Sequence, residues 1–287
     1  MGVKHLDEAK ARRYDEYYTR YEDVAKEMIH YKDSFKGKRI YCNCDDNTSA
    51  FYKYFKDHFH EFGLEALMAT GIKGEKFLYD GIRETVSGIA DGRYQSDECK
   101  ELLKWCDIVV TNPPFSLWRD FFDTVYASGK QFIILGHLMC GSYSNVFPYV
   151  LAGKVWYGSE SNRVSYWFDV PNDAPSEVLD KLEMHDGRLM RSMRQIVWVT
   201  NVHHDVVKHL ECTAHYTPEK YPHYADYDAI EVGALKDVPC DYDGVMGVPI
   251  TFMSNHNPDE FEVIDSVKPT MPDGTYKFQR YLIKRKA

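Results

Sequence analysis

Asp107-Ile108-Val109-Val110-Thr111-Asn112-Pro113-Pro114-Phe115 is the stretch on which the fold turns. Its first half is short, apolar and β-branched, which reads as a buried strand. Proline has no N–H to give a ladder, so the strand must stop at Asn112. The following Ser116-Leu117-Trp118-Arg119-Asp120-Phe121-Phe122 has helical spacing. The segment is therefore strand, stiff turn, helix. In an open α/β sheet, ligands and chemistry sit just beyond the carboxyl ends of the strands. Asn112 and Phe115 are expected there.

The residue types suit one kind of chemistry. An exocyclic amine on a nucleobase is a poor nucleophile, because its lone pair is conjugated into the ring. The Asn112 side-chain carbonyl and the Pro113 backbone carbonyl can each accept one N–H of such an amine. That favours a pyramidal nitrogen and stabilises the positive charge that develops as it attacks a methyl group. Proline's fixed φ aims the carbonyl, and Phe115 offers a stacking surface to a flipped-out base. Asn-Pro-Pro-aromatic at a strand end thus points to amino-group methyl transfer. The same four residues also suit an ordinary proline turn that merely ends a strand.

The rest of the chain sets bounds. Its 287 residues suffice for one large α/β domain, or for one domain with an appended lobe. No run of eighteen apolar residues occurs, so no membrane span is expected. Met1-Gly2-Val3-Lys4-His5 lacks an apolar signal region. Seven cysteines without framework spacing suggest free thiols in a reducing cytoplasm. A formal net charge of −9 counts against a generally basic nucleic-acid binder, though phosphate contact needs only a local positive surface.

Upstream, residues 5–32 are charged and helical in pattern, and Asp15-Glu16-Tyr17-Tyr18-Thr19 reads within them as helix surface. Arg39-Ile40-Tyr41-Cys42-Asn43-Cys44 reads as a strand. Asp45-Asp46-Asn47-Thr48-Ser49 follows as a turn. Ala50 to Phe62 reads as a helix capped by Thr48 or Ser49 and stopped by Gly63. This first βα turn, where a nucleotide-like cofactor usually docks, holds no glycine between Gly37 and Gly63. Two carboxylates there would repel a pyrophosphate but suit a ligand carrying a sulfonium and an amino group, such as S-adenosylmethionine. Further strands are expected near 65–70, 76–80 and 131–135, with a helix at 97–105 capped by Ser96. The alternation predicts a parallel, doubly wound sheet. Cys42 and Cys44 read as core thiols rather than metal ligands, and no metal site is expected.

Downstream, Val164–Val170 and Gln195–Thr200 read as strands. Between them, Met184–Arg194 is locally basic. The end of the chain, Tyr276–Lys286, is basic with aromatics interleaved. Arg188, Arg191 and Arg194, with Lys277, Arg280, Lys284 and Arg285, are the phosphate-contact candidates. His185, His203 and His204 have no ligand-like partners in sequence.

Several long words resemble the EcoRI-type adenine-specific DNA methyltransferase family. They are Asp15–Thr19, Tyr41–Asp46, Ser96–Phe115, Tyr227–Val232 and Asp241–Phe252. The resemblance implies a Rossmann-like class I S-adenosylmethionine-dependent fold, with extra C-terminal β-rich elements for DNA recognition. It also implies S-adenosylmethionine as methyl donor and N6 of a flipped-out adenine in double-stranded DNA as acceptor. It places cofactor contacts at Tyr17, Tyr18 and Thr19 and at Asn43, Asp45 and Asp46. Catalysis falls to Asn112, Pro113, Pro114 and Phe115. The chain departs from the family pattern at three places. Tyr17 stands where Phe is usual, Asn47 where Pro is usual, and Arg93 where an Asp would align. Asp91 and Tyr94 are taken as the contacts to the adenine side of the cofactor.

The organisation expected is a cofactor-binding and catalytic core over residues 1–160. Residues 161–287 would supply the rest of the core and the DNA-recognition elements. A monomer acting in the cytoplasm, beside a separately encoded restriction endonuclease, completes the reading. Two alternatives stay open: methyl transfer to RNA adenine or a protein amide, and a non-catalytic cofactor- or DNA-binding protein of the same fold.

Overall fold

The computed structural model describes residues 18–161, 165–170, 181–204, 206 and 208–286. The chain divides into two compact units, Met1–His137 with Gly158–Asp205, and Leu138–Tyr157 with Val206–Ala287.

The first unit is built on β1 (Arg39–Asn43), β2 (Ala66–Thr70), β3 (Glu75–Tyr79), β4 (Glu84–Gly88), β5 (Ile108–Thr111) and β6 (Gln131–His137). The short β7 (Trp156–Tyr157) belongs to the second unit. The first unit resumes with β8 (Tyr166–Phe168), β9 (Glu183–His185), β10 (Arg188–Met193) and β11 (Ile196–Thr200). Its main sheet runs β4-β3-β2-β1-β5-β6-β11.

The central strands β2, β1, β5 and β6 are parallel. β3, β4 and β11 are antiparallel to their neighbours. The sheet is thus mixed, not the all-parallel one expected. β3 follows β2 after Gly71–Gly74, a link too short for a crossover, so the chain can only turn back. Gly74, at φ 90°, supplies the left-handed conformation of that link.

β1, β2, β5 and β11 are almost wholly buried, which is why they read as continuous apolar runs. Helix α1 (Tyr21–Met28) and helix α2 (Ala50–Asp57) pack on them. Ser49 caps α2, its hydroxyl accepting from the Tyr52 amide at 3.1 Å. The predicted single helix to Phe62 is two pieces, broken at His58 before Phe59–Phe62 and stopped by left-handed Gly63. Phe51, Tyr52, Tyr54 and Phe55 are buried, each contributing about 1.5–3 kcal/mol. Helices α3 (Asp97–Trp105) and α4 (Trp118–Ala127) complete this unit, with Ser96 capping α3 through the Cys99 amide at 3.1 Å.

Two ties fix the frame beneath the functional end. At the amino ends of β1 and β5, Arg39 makes a two-pronged bond to Asp107, Nε and Nη2 each at 3.0 Å. The Arg39 amide donates to the same carboxylate at 2.9 Å. Elsewhere, fully buried Glu27 on α1 accepts from the Ser159 and Glu160 amides at 2.9 and 2.7 Å, and from the Tyr31 hydroxyl at 2.6 Å.

The second unit carries β12 (Ile230–Glu231), β13 (Met246–Pro249), β14 (Phe261–Val267) and β15 (Arg280–Arg285), in the order β12-β13-β15-β14. Tyr224, Ala229, Val267, Met271 and Leu282 form a small core on it. Among the described residues, no helix is long and apolar enough to cross a membrane.

Candidate active site

The segments that leave the carboxyl ends of β1, β2 and β5 open onto one cleft of about 1560 Å³ in the first unit. The central stretch behaves as its residues dictate. Thr111 is buried as the last residue of β5, and the two prolines behind Asn112 are buried. A single 3₁₀ turn, Phe115–Leu117, leads into α4. Trp118 anchors that helix by donating its indole N–H to the Leu135 carbonyl at 2.7 Å. Asn112 and Pro114 line the cleft. Pro113 is buried, and half-buried Phe115 packs against the core.

The first βα turn is tied directly to that motif. The Thr111 hydroxyl lies 2.5 Å from the Asn43 carbonyl and 2.7 Å from Asp45 Oδ2. Asn43 is buried, and its side-chain oxygen accepts from the Cys44 thiol at 3.1 Å. Cys44 itself is left-handed at φ 66°, a conformation that costs a non-glycine residue about 1–2 kcal/mol. The kink turns Asp45 and Asp46 into the cleft, which both line. Asp46 Oδ1 also accepts the Thr48 amide at 2.7 Å and the Thr48 hydroxyl at 2.5 Å.

A third wall comes from residues 18–19. Tyr18 pairs with Asp169 in an antiparallel bridge, amide to carbonyl at 3.1 and 3.2 Å. This brings Tyr18 and Thr19 to the cleft. Thr19 Oγ1 is buried and has no hydrogen-bond partner among the described residues. A buried hydroxyl left in that state is a place for a ligand to bond. Tyr17 lies outside the described residues. Arg20, beside them, reaches Asp186 at 3.1 Å.

The fourth wall is the Asp91–Tyr94 loop. Its backbone lies against the end of β2 so closely that a Cβ on Gly92 would stand 1.9 Å from the Gly71 carbonyl oxygen. Glu98 on α3 holds the loop by accepting the Ala90 and Asp91 amides at 2.8 and 3.2 Å. Arg93 grips Asp91 with Nε and Nη2, at 3.0 and 2.6 Å, and holds that carboxyl below its usual range. Tyr94 is buried against Phe121, and burial pushes its hydroxyl up to about 12, so it remains a donor. Asp91 and Tyr94 both line the cleft.

The basic candidates fall in different settings. In the first unit, Arg188 is exposed at the start of β10 and lines the cleft, and Arg194 is exposed just beyond that strand. Arg191 is half-buried and donates to the Lys181 carbonyl at 3.2 Å. In the second unit, Arg280 Nη2 and Lys277 Nζ reach buried Glu231 at 2.9 and 3.5 Å. Burial pushes the Glu231 carboxyl up, but Arg280, the Tyr224 hydroxyl and Lys277 more than reverse this, and it settles below its ordinary value. Arg285 donates to the Pro239 carbonyl at 3.2 Å and lies over the Phe261 ring. Lys284 is exposed.

Tyr18, Thr19, Asp45, Asp46, Asp91, Tyr94, Asn112, Pro114 and Arg188 therefore meet at one cleft, with Asn43 buried beneath its first turn. Arg20, Asp169 and Asp186 also line it and were not singled out from sequence. They arrive through a bridge and an ion pair that span more than a hundred residues, which local pattern does not register.

The cleft fits S-adenosylmethionine on this chain's own chemistry. Asp45 and Asp46 face it where a positively charged ligand would gain, and the Thr19 hydroxyl has no partner among the described residues.

Comparison with known proteins agrees in kind. The family model for the adenine-specific methyltransferase EcoRI matches residues 5–87 and 82–286. The type II methyltransferase M.EcoRI of Escherichia coli is 36% identical over 318 aligned positions, covering 99% of this chain and 97% of its own length. M.MpnI of Mycoplasma pneumoniae is 37% identical, covering 92% of this chain and 86% of its own. M.MgeORF184P of Mycoplasma genitalium is 34% identical over the same shares. No solved structure matches. A chain matched by that model almost end to end, with Asn112 and Pro114 of its strand-end motif lining a cleft, belongs to the EcoRI family of adenine-specific DNA methyltransferases.

Proposed function

We propose that this enzyme transfers a methyl group from S-adenosylmethionine to N6 of a flipped-out adenine at one short sequence in duplex DNA. The fold assigned is the Rossmann-like class I methyltransferase fold. The carrying observation is the Thr111 hydroxyl, which ties the acidic turn at Asp45 to the residue preceding Asn112. Cofactor wall and amine acceptors are thereby fixed to one another.

The cofactor, when bound, supplies an electrophilic methyl group on a positively charged sulfur. Asp45 and Asp46 provide the negative field that holds such a charge. Tyr18 and Thr19 close one side, and Asp91 and Tyr94 the other. Asn112 Oδ1 and the Pro113 carbonyl each accept one N–H of the target amine. They bring its lone pair out of conjugation and orient it for attack. Phe115 offers the base a ring face. The buried prolines keep these acceptors from drifting.

In the first unit, phosphate contact is assigned to Arg188 and Arg194, whose charges are exposed. In the second, it is assigned to Lys284, because Lys277 and Arg280 are engaged by Glu231 and Arg285 by the Pro239 carbonyl. The C-terminal strands are read as DNA-recognition elements. Action as a monomer, beside a separate endonuclease, belongs to the same reading.

The test is expression in a methylation-deficient host, with modified bases read by methyl-sensitive sequencing. N6-methyladenine at a single motif, absent with Asn112→Ala, is the expected result. Unmodified DNA from cells holding folded protein would overturn the proposal.

A further inference from the structure

The geometry points to a divalent transition-metal site on the second unit, formed by His215, Cys240 and Asp241, for a cation of the Zn²⁺ or Co²⁺ class. One donor atom from each residue lies within 4.8 Å of the others. His215 Nδ1 is 2.9 Å from Asp241 Oδ2 and 3.7 Å from Cys240 Sγ. Around a tetrahedral zinc, with Zn–N near 2.0 Å and Zn–S near 2.3 Å, neighbouring donors stand roughly 3.3–3.6 Å apart. The two separations from His215 Nδ1, 2.9 and 3.7 Å, bracket that range.

The direction of the donors decides between two readings of this trio. In a hydrogen-bonded relay of thiol, imidazole and carboxylate, the two ring nitrogens face opposite partners. Here the same nitrogen, Nδ1, faces both the thiol and the carboxylate. Three exposed donor atoms within 4.8 Å of one another, with one imidazole nitrogen facing both partners, form an arrangement that can hold a metal ion. Its mixture of thiolate, imidazole and carboxylate favours zinc-like cations over Mg²⁺ or Ca²⁺, which take oxygen. Solvent would supply the fourth ligand.

The backbone is prepared for this. Ala214 and Pro239 form a parallel bridge, and the Cys240 amide donates to the Ala214 carbonyl at 2.8 Å. Asp241 Oδ1 accepts the Tyr216 amide at 2.8 Å, which leaves Oδ2 toward the imidazole. Tyr216 packs on Tyr242 with ring centres 4.6 Å apart. The ligand-bearing segments are thus locked in register before any ion arrives, and a bound ion would cross-link them.

The experiment uses the full-length reduced protein, freed of chelators and titrated with Co²⁺ alone. One equivalent should bind and produce a thiolate-to-cobalt charge-transfer band, which Zn²⁺ then displaces. Cys240→Ser should abolish the band. His215→Ala should weaken binding by more than about 10-fold, a loss that even outer contacts of metal sites produce. Cys212→Ser, at the other solvent-reaching thiol of this unit, should leave it unchanged. Zn²⁺ should raise the melting temperature of the native protein and not that of Cys240→Ser, whose melting point without metal should equal the native one. No band in the native protein, or a band that survives Cys240→Ser, would overturn the site.

Discussion

The Thr111 hydroxyl stands 2.7 Å from Asp45 Oδ2, across the gap between β5 and the turn after β1. The same oxygen is 2.5 Å from the Asn43 carbonyl, so one hydrogen serves two acceptors. Thr111→Val keeps the β-branched shape and removes this bond. It is expected to cost about 1–3 kcal/mol in urea unfolding, because the buried Asn43 carbonyl and half-buried Asp45 lose their donor. It should also weaken S-adenosylmethionine binding in calorimetry, with Thr111→Ser restoring part of both. Native affinity in Thr111→Val would separate the two walls of the cleft.

Asn112→Ala should lower methyl transfer by about 10²–10³-fold, the scale for removing one preorganised charge-stabilising group. Cofactor binding should be almost unchanged, since the lost acceptor faces the amine. Phe115→Ala should cost roughly 1–3 kcal/mol in binding DNA with a flipped base. Single-turnover rates beside equilibrium binding distinguish these effects.

The pairing at the opposite end of β5 sets an acid limit. Arg39's bonds hold the Asp107 carboxyl below its ordinary range. The unfolded carboxyl, near about 3.9, takes up a proton first as pH falls. The pair's contribution is therefore complete above that value and is lost as pH drops through the lower folded one. Asp107→Asn should remove about 1 kcal/mol at neutral pH and flatten the fall in stability below about pH 4. Unfolding midpoints measured from pH 7 to 3 give the comparison.

In the second unit, Glu231→Ala should be worse than its size suggests. Arg280 is nearly buried, and without Glu231 its charge has no compensation. A loss of about 3–5 kcal/mol is expected. Arg280→Met combined with Glu231→Leu should recover much of it. Denaturant unfolding of the single and double variants would show this coupling, and a merely additive double variant would refute it.

Local signals in the sequence carried far. Ser49 and Ser96 cap their helices because a hydroxyl three residues before a helical amide acts within one turn. Gly63 stops its helix by the same local logic. The buried runs of β1, β5 and β11 identified themselves by composition. β4 did not, because Glu84–Gly88 is largely exposed and has no apolar alternation. The reversal of β3 depended on the length of a link rather than on any residue type. Long-range pairing was the least legible. Tyr18 meets Asp169 through a backbone bridge, which any side chains could support. Arg280 read as a cation for phosphate, but its position against Glu231 depends on two strands separated by 49 residues.

The contact between Gly71 and Gly92 has a mechanical consequence. With no room for even a methyl group between them, and with the Ile89 amide donating to the Gly74 carbonyl at 2.8 Å, the segment after β2 and the loop before α3 are coupled. Opening the cleft on that side is expected to move both together. Their amides are therefore expected to exchange with solvent at a shared rate, and to slow together when a ligand fills the cleft.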